Sequence, residues 1–384
     1  MVYLDHNASS PLLPAARAAW LEAEEQFPGN PSSPHRLGAR ADTALDQARQ
    51  RLGALLGCSP LDLVWMSGAT EACNAVLHHA ASVAAADSPV WISAIEHPAV
   101  LESARHYFRE RVELIPVNRE GVVSLDWVRQ RFDRQRPALI AVMAANNETG
   151  VLQSWRQLHE SCAERGVPFF CDATQWCGRL PAAGLGGCEF VAGSAHKFGG
   201  PRGVGFLKVA GGSALHPFFR GGKQQDGRRA GTENVAGVMA MLAALEWCEQ
   251  QIAAGAPASR GAARDRFERE LQSALPGVTL NGHGQDRLWN TMSVTMPEVD
   301  CRHRWVVKLD KAGFAVSTGS ACSSGSEHPS HVLTAMGLTT AEAARALRFS
   351  AGWLTKDAEW DELLKAIIRI HRELEPEQAK ASRA

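Results

Sequence analysis

Through residues 60–252, short apolar runs closed by small or polar residues alternate with longer stretches of helical spacing. The runs at 63–66, 90–93, 139–143 and 169–171 predict strands, as does the pair 190–192 and 204–209 around a glycine-rich turn. Spacing of three and four predicts helices over 15–25, 38–56 and 235–252, with others opening at 69 and near 99. Repeated strand–helix alternation predicts an α/β fold: a mostly parallel sheet of the seven-stranded type covered by helices. Past a run rich in alanine and breakers at 253–259, the pattern changes. A helix to about 275, strands near 290–294, 315–316 and 347–350, and a last helix over 358–374 predict a smaller α+β domain. The expected division is a large domain of 15–255 and a small one built from 1–14 and 256–384.

Composition narrows the classes. The 384 residues are 45% hydrophobic, enough for a sizeable core, and carry a formal net charge of -1. So even a balance gives no field to attract nucleic acid or an anionic membrane. No stretch approaches the roughly 18 consecutive apolar residues of a membrane span. The first residues, Met1-Val2-Tyr3-Leu4-Asp5-His6, do not read as a secretion signal. The expectation is a soluble protein of the cytoplasm. The nine cysteines include no Cys-x-x-Cys pair, so no metal site is expected. Most sit in helical or strand runs as small hydrophobes. Cys322, within Ser320-Ala321-Cys322-Ser323, lies instead among flexible small residues.

Chemistry concentrates at the strand ends. In Ser194-Ala195-His196-Lys197-Phe198-Gly199-Gly200, a lysine sits between two buried strands, where desolvation makes its amine a nucleophile able to form a Schiff base. Ser67-Gly68-Ala69-Thr70-Glu71 passes from strand to helix through small residues, leaving free N–H groups and the Thr70 hydroxyl for a phosphate. His97, Asn147, Asp172 and Gln175 each fall just past a strand's carboxyl end, where open α/β sheets bind ligands. Arg348, flanked by apolar neighbours in the last strand, calls for a carboxylate partner, local or from a substrate.

Taken together these motifs, with Asn146-Asn147-Glu148-Thr149-Gly150 and Arg228-Arg229-Ala230-Gly231-Thr232-Glu233-Asn234, resemble the NifS/IscS-like cysteine desulfurases. These form a group within the class V aminotransferase branch of fold-type I pyridoxal-phosphate enzymes, and the likeness runs nearly end to end. It implies pyridoxal 5'-phosphate as cofactor, carried by Lys197. Asp172 would face the ring nitrogen, Gln175 the phenolic oxygen, and His97 the ring face. Ala69, Thr70, Ser194 and His196 would hold the phosphate. Thr232 would reach the neighbouring subunit's site, which implies a homodimer. Asn147 and Arg348 would clamp the carboxylate of L-cysteine, and Cys322 would take its sulfur as a persulfide for an acceptor protein. Lys197, Cys322 and His97 are then the catalytic set. A selenocysteine lyase and a weakly active sulfur-delivery scaffold are the alternatives. The chain departs from the family's usual run at Lys223-Gln224-Gln225-Asp226.

Overall fold

The computed structural model describes residues 1–212, 215–298, 305–318 and 329–381. The chain opens with strand β1 (Val2–Tyr3) and helices α1 (Pro14–Gln26) and α2 (Arg36–Leu56). There follow β2 (Leu63–Met66), α3 (Ala69–Val83), β3 (Val90–Ser93), α4 (Pro98–Phe108), β4 (Val112–Ile115), α5 (Leu125–Phe132) and β5 (Leu139–Ala141). Next come α6 (Trp155–Glu164), β6 (Phe169–Asp172), β7 (Phe190–Ser194), β8 (Gly205–Val209) and α7 (Val235–Ala253). The last part holds α8 (Ala256–Ala274), β9 (Thr279–Leu280), β10 (Thr291–Thr295), α9 (Trp305–Lys311) and β11 (Phe314–Ala315). It ends in α10 (His331–Ala335), α11 (Thr340–Ala344), β12 (Ala346–Ser350) and α12 (Asp357–Ala381).

Among the described residues, a seven-stranded sheet has the order β2-β8-β7-β6-β5-β3-β4. From β7 to β4 all neighbours are parallel, while β8 runs antiparallel to both β7 and β2. The sheet is mostly parallel, as its continuous apolar strands require when both faces are covered. Alternate residues face opposite layers. Leu63, Trp65, Cys171 and Phe206 pack in the layer holding Leu45, Leu52 and Leu245 of α2 and α7. Val64, Met66, Phe170 and Leu207 pack with Val76 of α3 and Leu101 of α4. Gly193 stands opposite Phe206 in the β7–β8 register. A Cβ there would come within 2.3 Å of the Phe206 ring, so only glycine lets that ring lie flat on the sheet.

A second apolar cluster lies around the antiparallel sheet β12-β10-β9. It joins Met292 and Val294 of β10 and Phe349 of β12 to Phe267 of α8, Leu363 of α12 and Leu4 near the N-terminus. The breaker-rich run at 253–259 turns out to be mostly helical. α7 ends at Ala253, Gly255 turns with φ 77°, and Pro257 falls in the first turn of α8, where a missing N–H costs nothing. The N-terminal segment crosses between the clusters: β1 pairs with β11, and the Ser350 amide donates to the Leu4 carbonyl at 2.8 Å.

The departing loop at 223–226 has a structural task. β2 is an edge strand, and the buried Gln225 side chain covers its Trp65. Its Oε1 accepts from the Trp65 amide at 2.6 Å and its Nε2 donates to the Trp65 carbonyl at 2.9 Å. Gln225 and Asp226 both take positive φ, 50° and 59°, to make the turn.

Candidate active site

A cavity of about 510 Å³ opens along the carboxyl ends of β2, β3, β5, β6 and β7. It is lined by Ala69, Thr70, His97, Asn147, Asp172, Gln175, Ser194, His196 and Lys197, all foreseen from the sequence. Each is placed by local chemistry. His97 is the N-cap of α4, its Nδ1 accepting from the Ala99 amide at 3.1 Å, with Pro98 in the first turn. That bond keeps Nδ1 unprotonated. Burial, with Lys197 and His331 adding to it and Asp172 opposing, holds the ring below its ordinary pKa. Asn146 makes the turn that presents Asn147: its Oδ1 accepts from the amides of Glu148 at 2.9 Å and Thr149 at 3.0 Å.

Asp172 ends β6, its Oδ1 accepting from the Thr174 amide at 2.9 Å. Lys197 follows β7 in a tight turn, and its Nζ donates to the carbonyls of Asn7 at 2.8 Å and Ala8 at 2.9 Å. The Gln175 Nε2 donates to the same Asn7 carbonyl at 3.0 Å. His196 is pushed down to about 4 by burial and then by the positive charges of Lys197, Arg202 and Arg179, so it is neutral at physiological pH. Opposite it, the turn before α3 is held by the Glu71 carboxylate, which accepts from the Ser67 amide at 2.7 Å and from Arg229 Nε at 2.9 Å. Burial pushes Glu71 up, but the hydrogen bonds from Arg229 and Ser67 outweigh it and keep the group below its usual range.

Three foreseen residues stand apart. Arg348 of β12 is only 1% exposed and does not line the cavity. Its Nη2 donates to Asp5 Oδ1 at 2.6 Å and its Nη1 to the Asn147 carbonyl at 3.0 Å, just behind the cavity wall. Thr232 is exposed and outside this cavity within one chain. Cys322 lies outside the described residues. Arg202, Ala8 and Ser9, not among the expected site residues, also line the cavity. Arg202, in a Gly-Pro-Arg-Gly turn beside the lysine, carried a legible signal. Ala8 offers only a backbone carbonyl, which leaves no mark in a sequence.

A lysine amine, a buried carboxylate and a cationic helix-start cradle around one cavity fit an aldehyde-bearing phosphate cofactor. The aminotransferase class-V family model matches residues 2–363. The chain belongs to that family. Among its class-V aminotransferase relatives is a cysteine desulfurase of Klebsiella pneumoniae, 38% identical over 374 residues, covering 96% of this chain and 92% of that one. A solved NifS-like protein superposes with a TM-score of 0.88 at 29% identity, over 97% of this chain and 100% of its own. The structure of SspA in complex with cysteine matches with a TM-score of 0.78 at 28% identity, over 91% and 98% of the two chains. Among the described residues, no helix is long and apolar enough to cross a membrane, and no cluster of side chains could hold a metal ion.

Proposed function

We propose that this class-V aminotransferase relative is a pyridoxal-phosphate-dependent cysteine desulfurase, turning L-cysteine into L-alanine and passing the sulfur through Cys322 to an acceptor protein. The observation that carries the reading is the lysine Nζ of the β7–β8 turn, opening on one cavity with Asp172, His97 and the start of α3. The residues fit the cofactor. Thr174 Oγ1 and Gln175 Oε1 are buried beside the cavity with no partner among the described residues, the state of groups that await a polar ligand. Lys197 and Arg202, which line the cavity with His196 and the start of α3, favour an anion there.

In this reading Asp172 would pair with the ring nitrogen and Gln175 would hydrogen-bond the phenolic oxygen through the second proton of its Nε2. Ser194, His196, Thr70 and the Ala69 amide would hold the phosphate, joined by Thr232 from the second subunit of a homodimer. Bound there, pyridoxal phosphate supplies an electron sink that weakens bonds at the substrate's Cα and Cβ. Lys197 Nζ moves the proton at the substrate Cα, and the His97 Nε2–H is a donor over the same space. Asn147 and Arg348 hold the substrate carboxylate. The Cys322 thiolate would attack the substrate sulfur, forming the S–S bond of a persulfide as the Cβ–S bond breaks, and the electron pair left on Cβ would take a proton to give L-alanine. The described cysteines carry free thiols, in keeping with a reducing compartment such as the cytoplasm. The division into 15–255 and a small domain of 1–14 with 256–384 is part of this proposal. It puts Arg348 and Cys322 on one unit and Lys197 on the other.

The test is anaerobic incubation of the cofactor-loaded protein with L-cysteine and a thiol reductant, measuring alanine and sulfide together beside a Cys322→Ala variant. Equal yields of both, lost in the variant, are the expected result. Bound cofactor without alanine would overturn the reading.

A further inference from the structure

We propose that Asp5 is a resident carboxylate on the substrate-binding arginine: it occupies Arg348 in the resting site, and the substrate's carboxylate must displace it to bind. The inference rests on the desulfurase reading of Arg348 and goes beyond it by setting what the substrate competes against. Arg348 is buried in the middle of β12, where an unpaired guanidinium is costly. Its Nη2 is held by Asp5 Oδ1 at 2.6 Å, a charge-assisted bond of the strongest kind. The Nη1 donates to the carbonyl of Asn147, to which Asn7 Nδ2 also donates at 3.1 Å. Asn147 itself lines the cavity. The guanidinium therefore lies one residue behind the cavity wall, already engaged by a carboxylate from its own chain.

Asp5 is built to let go. Its backbone is pinned: the carbonyl accepts from the amides of Ala8 at 3.1 Å and Ser9 at 3.3 Å, and the next amide, of His6, donates to Ser350 at 3.1 Å. Its side chain is 21% exposed, against 1% for Arg348. A change of rotamer takes the carboxylate into water without moving the chain. Exchange replaces one carboxylate by another on the same cation, so much of the attraction of Arg348 for substrate is cancelled by the bond it gives up. The consequence is a site whose affinity for amino-acid carboxylates is held down, which favours release of alanine after each turnover.

The experiment uses the cofactor-loaded protein and calorimetric binding of L-alanine, with ethylamine as the probe lacking a carboxylate. Asp5→Asn removes the competing charge. The expected result is L-alanine binding about tenfold tighter, ethylamine binding unchanged, and a KM for L-cysteine that falls by more than kcat changes. Asp5→Glu, which restores a resident carboxylate, returns the wild-type values. Weaker L-alanine binding in Asp5→Asn would mean that Asp5 orients Arg348, and would overturn the inference, as would equal shifts for both probes. If Asp5→Asn does not fold, wild type alone decides. A preference for L-alanine over L-alaninamide below about tenfold supports exchange, and one of about a hundredfold or more refutes it. Failure of wild type to bind L-alanine or L-cysteine at all would overturn the desulfurase reading itself, a result distinct from unchanged binding in the variant.

Discussion

Replacing Glu96 by glutamine removes the titratable proton of a fully buried carboxyl while keeping its shape. Glu96 Oε1 accepts from Ser93 Oγ at 2.5 Å and from the Met143 amide at 2.7 Å, while Oε2 has no partner among the described residues. Burial raises the pKa to about 8; the Asp172 charge adds to the rise, and the bonds from Ser93 and Met143 only moderate it. The unfolded chain ionises this group near its ordinary 4.5, while the folded chain keeps the proton to about 8. Within that window the native state binds more protons, so its stability falls as pH rises. The slope is about 1.4 kcal/mol per pH unit. Between about pH 5 and pH 7 wild type therefore loses on the order of 2–3 kcal/mol against Glu96→Gln, which has no proton to lose. Denaturant unfolding of both cofactor-loaded proteins at several pH values across the window reads this directly. The gap in favour of the variant widens with pH and levels off above about 8. A gap that stays constant from about pH 5 to pH 8 would refute the argument, because Glu96 would then titrate alike in both states.

Two further substitutions test the fold that holds the site. Gly193→Ala drives a methyl to 2.3 Å from the Phe206 ring in a fully buried register pair, and costs about 1–3 kcal/mol in unfolding free energy by denaturant titration. Gln225→Ala uncovers the amide and carbonyl of Trp65 on the edge of the main sheet. It costs about 1–3 kcal/mol, and amide hydrogen exchange quickens at β2 while β6, deep in the sheet, keeps its protection.

The strands that carry the site were legible because they are buried on both faces and so appear as unbroken apolar runs. β4, an edge strand with Glu113 in its middle and half-exposed neighbours, lacks that signature and went unforeseen. So did α5, only eight residues long with a single buried residue, Val128. His97, Asp172 and Lys197 could be read because each follows a recognisable strand. The Asp5–Arg348 pair could not, since its members stand 343 residues apart and neither predicts the other. Nor could the carbonyls of Asn7 and Ala8 that receive the lysine, because backbone acceptors are the same in every residue.

The crossing of the N-terminal segment has a consequence for synthesis. Asn7 receives Lys197 and Gln175 on its carbonyl, yet its own amide is held by Ser350 Oγ and its side chain by Thr291 and Asn290. Asn7 thus waits for residues that lie 284 and 343 positions later in the chain before it can settle beside the lysine. Until β12 has emerged, the Asn7 amide lacks its Ser350 partner. A chain lacking β12 therefore lacks the Ser350 contact that sets the Asn7 carbonyl against Lys197, the residue proposed to carry the cofactor.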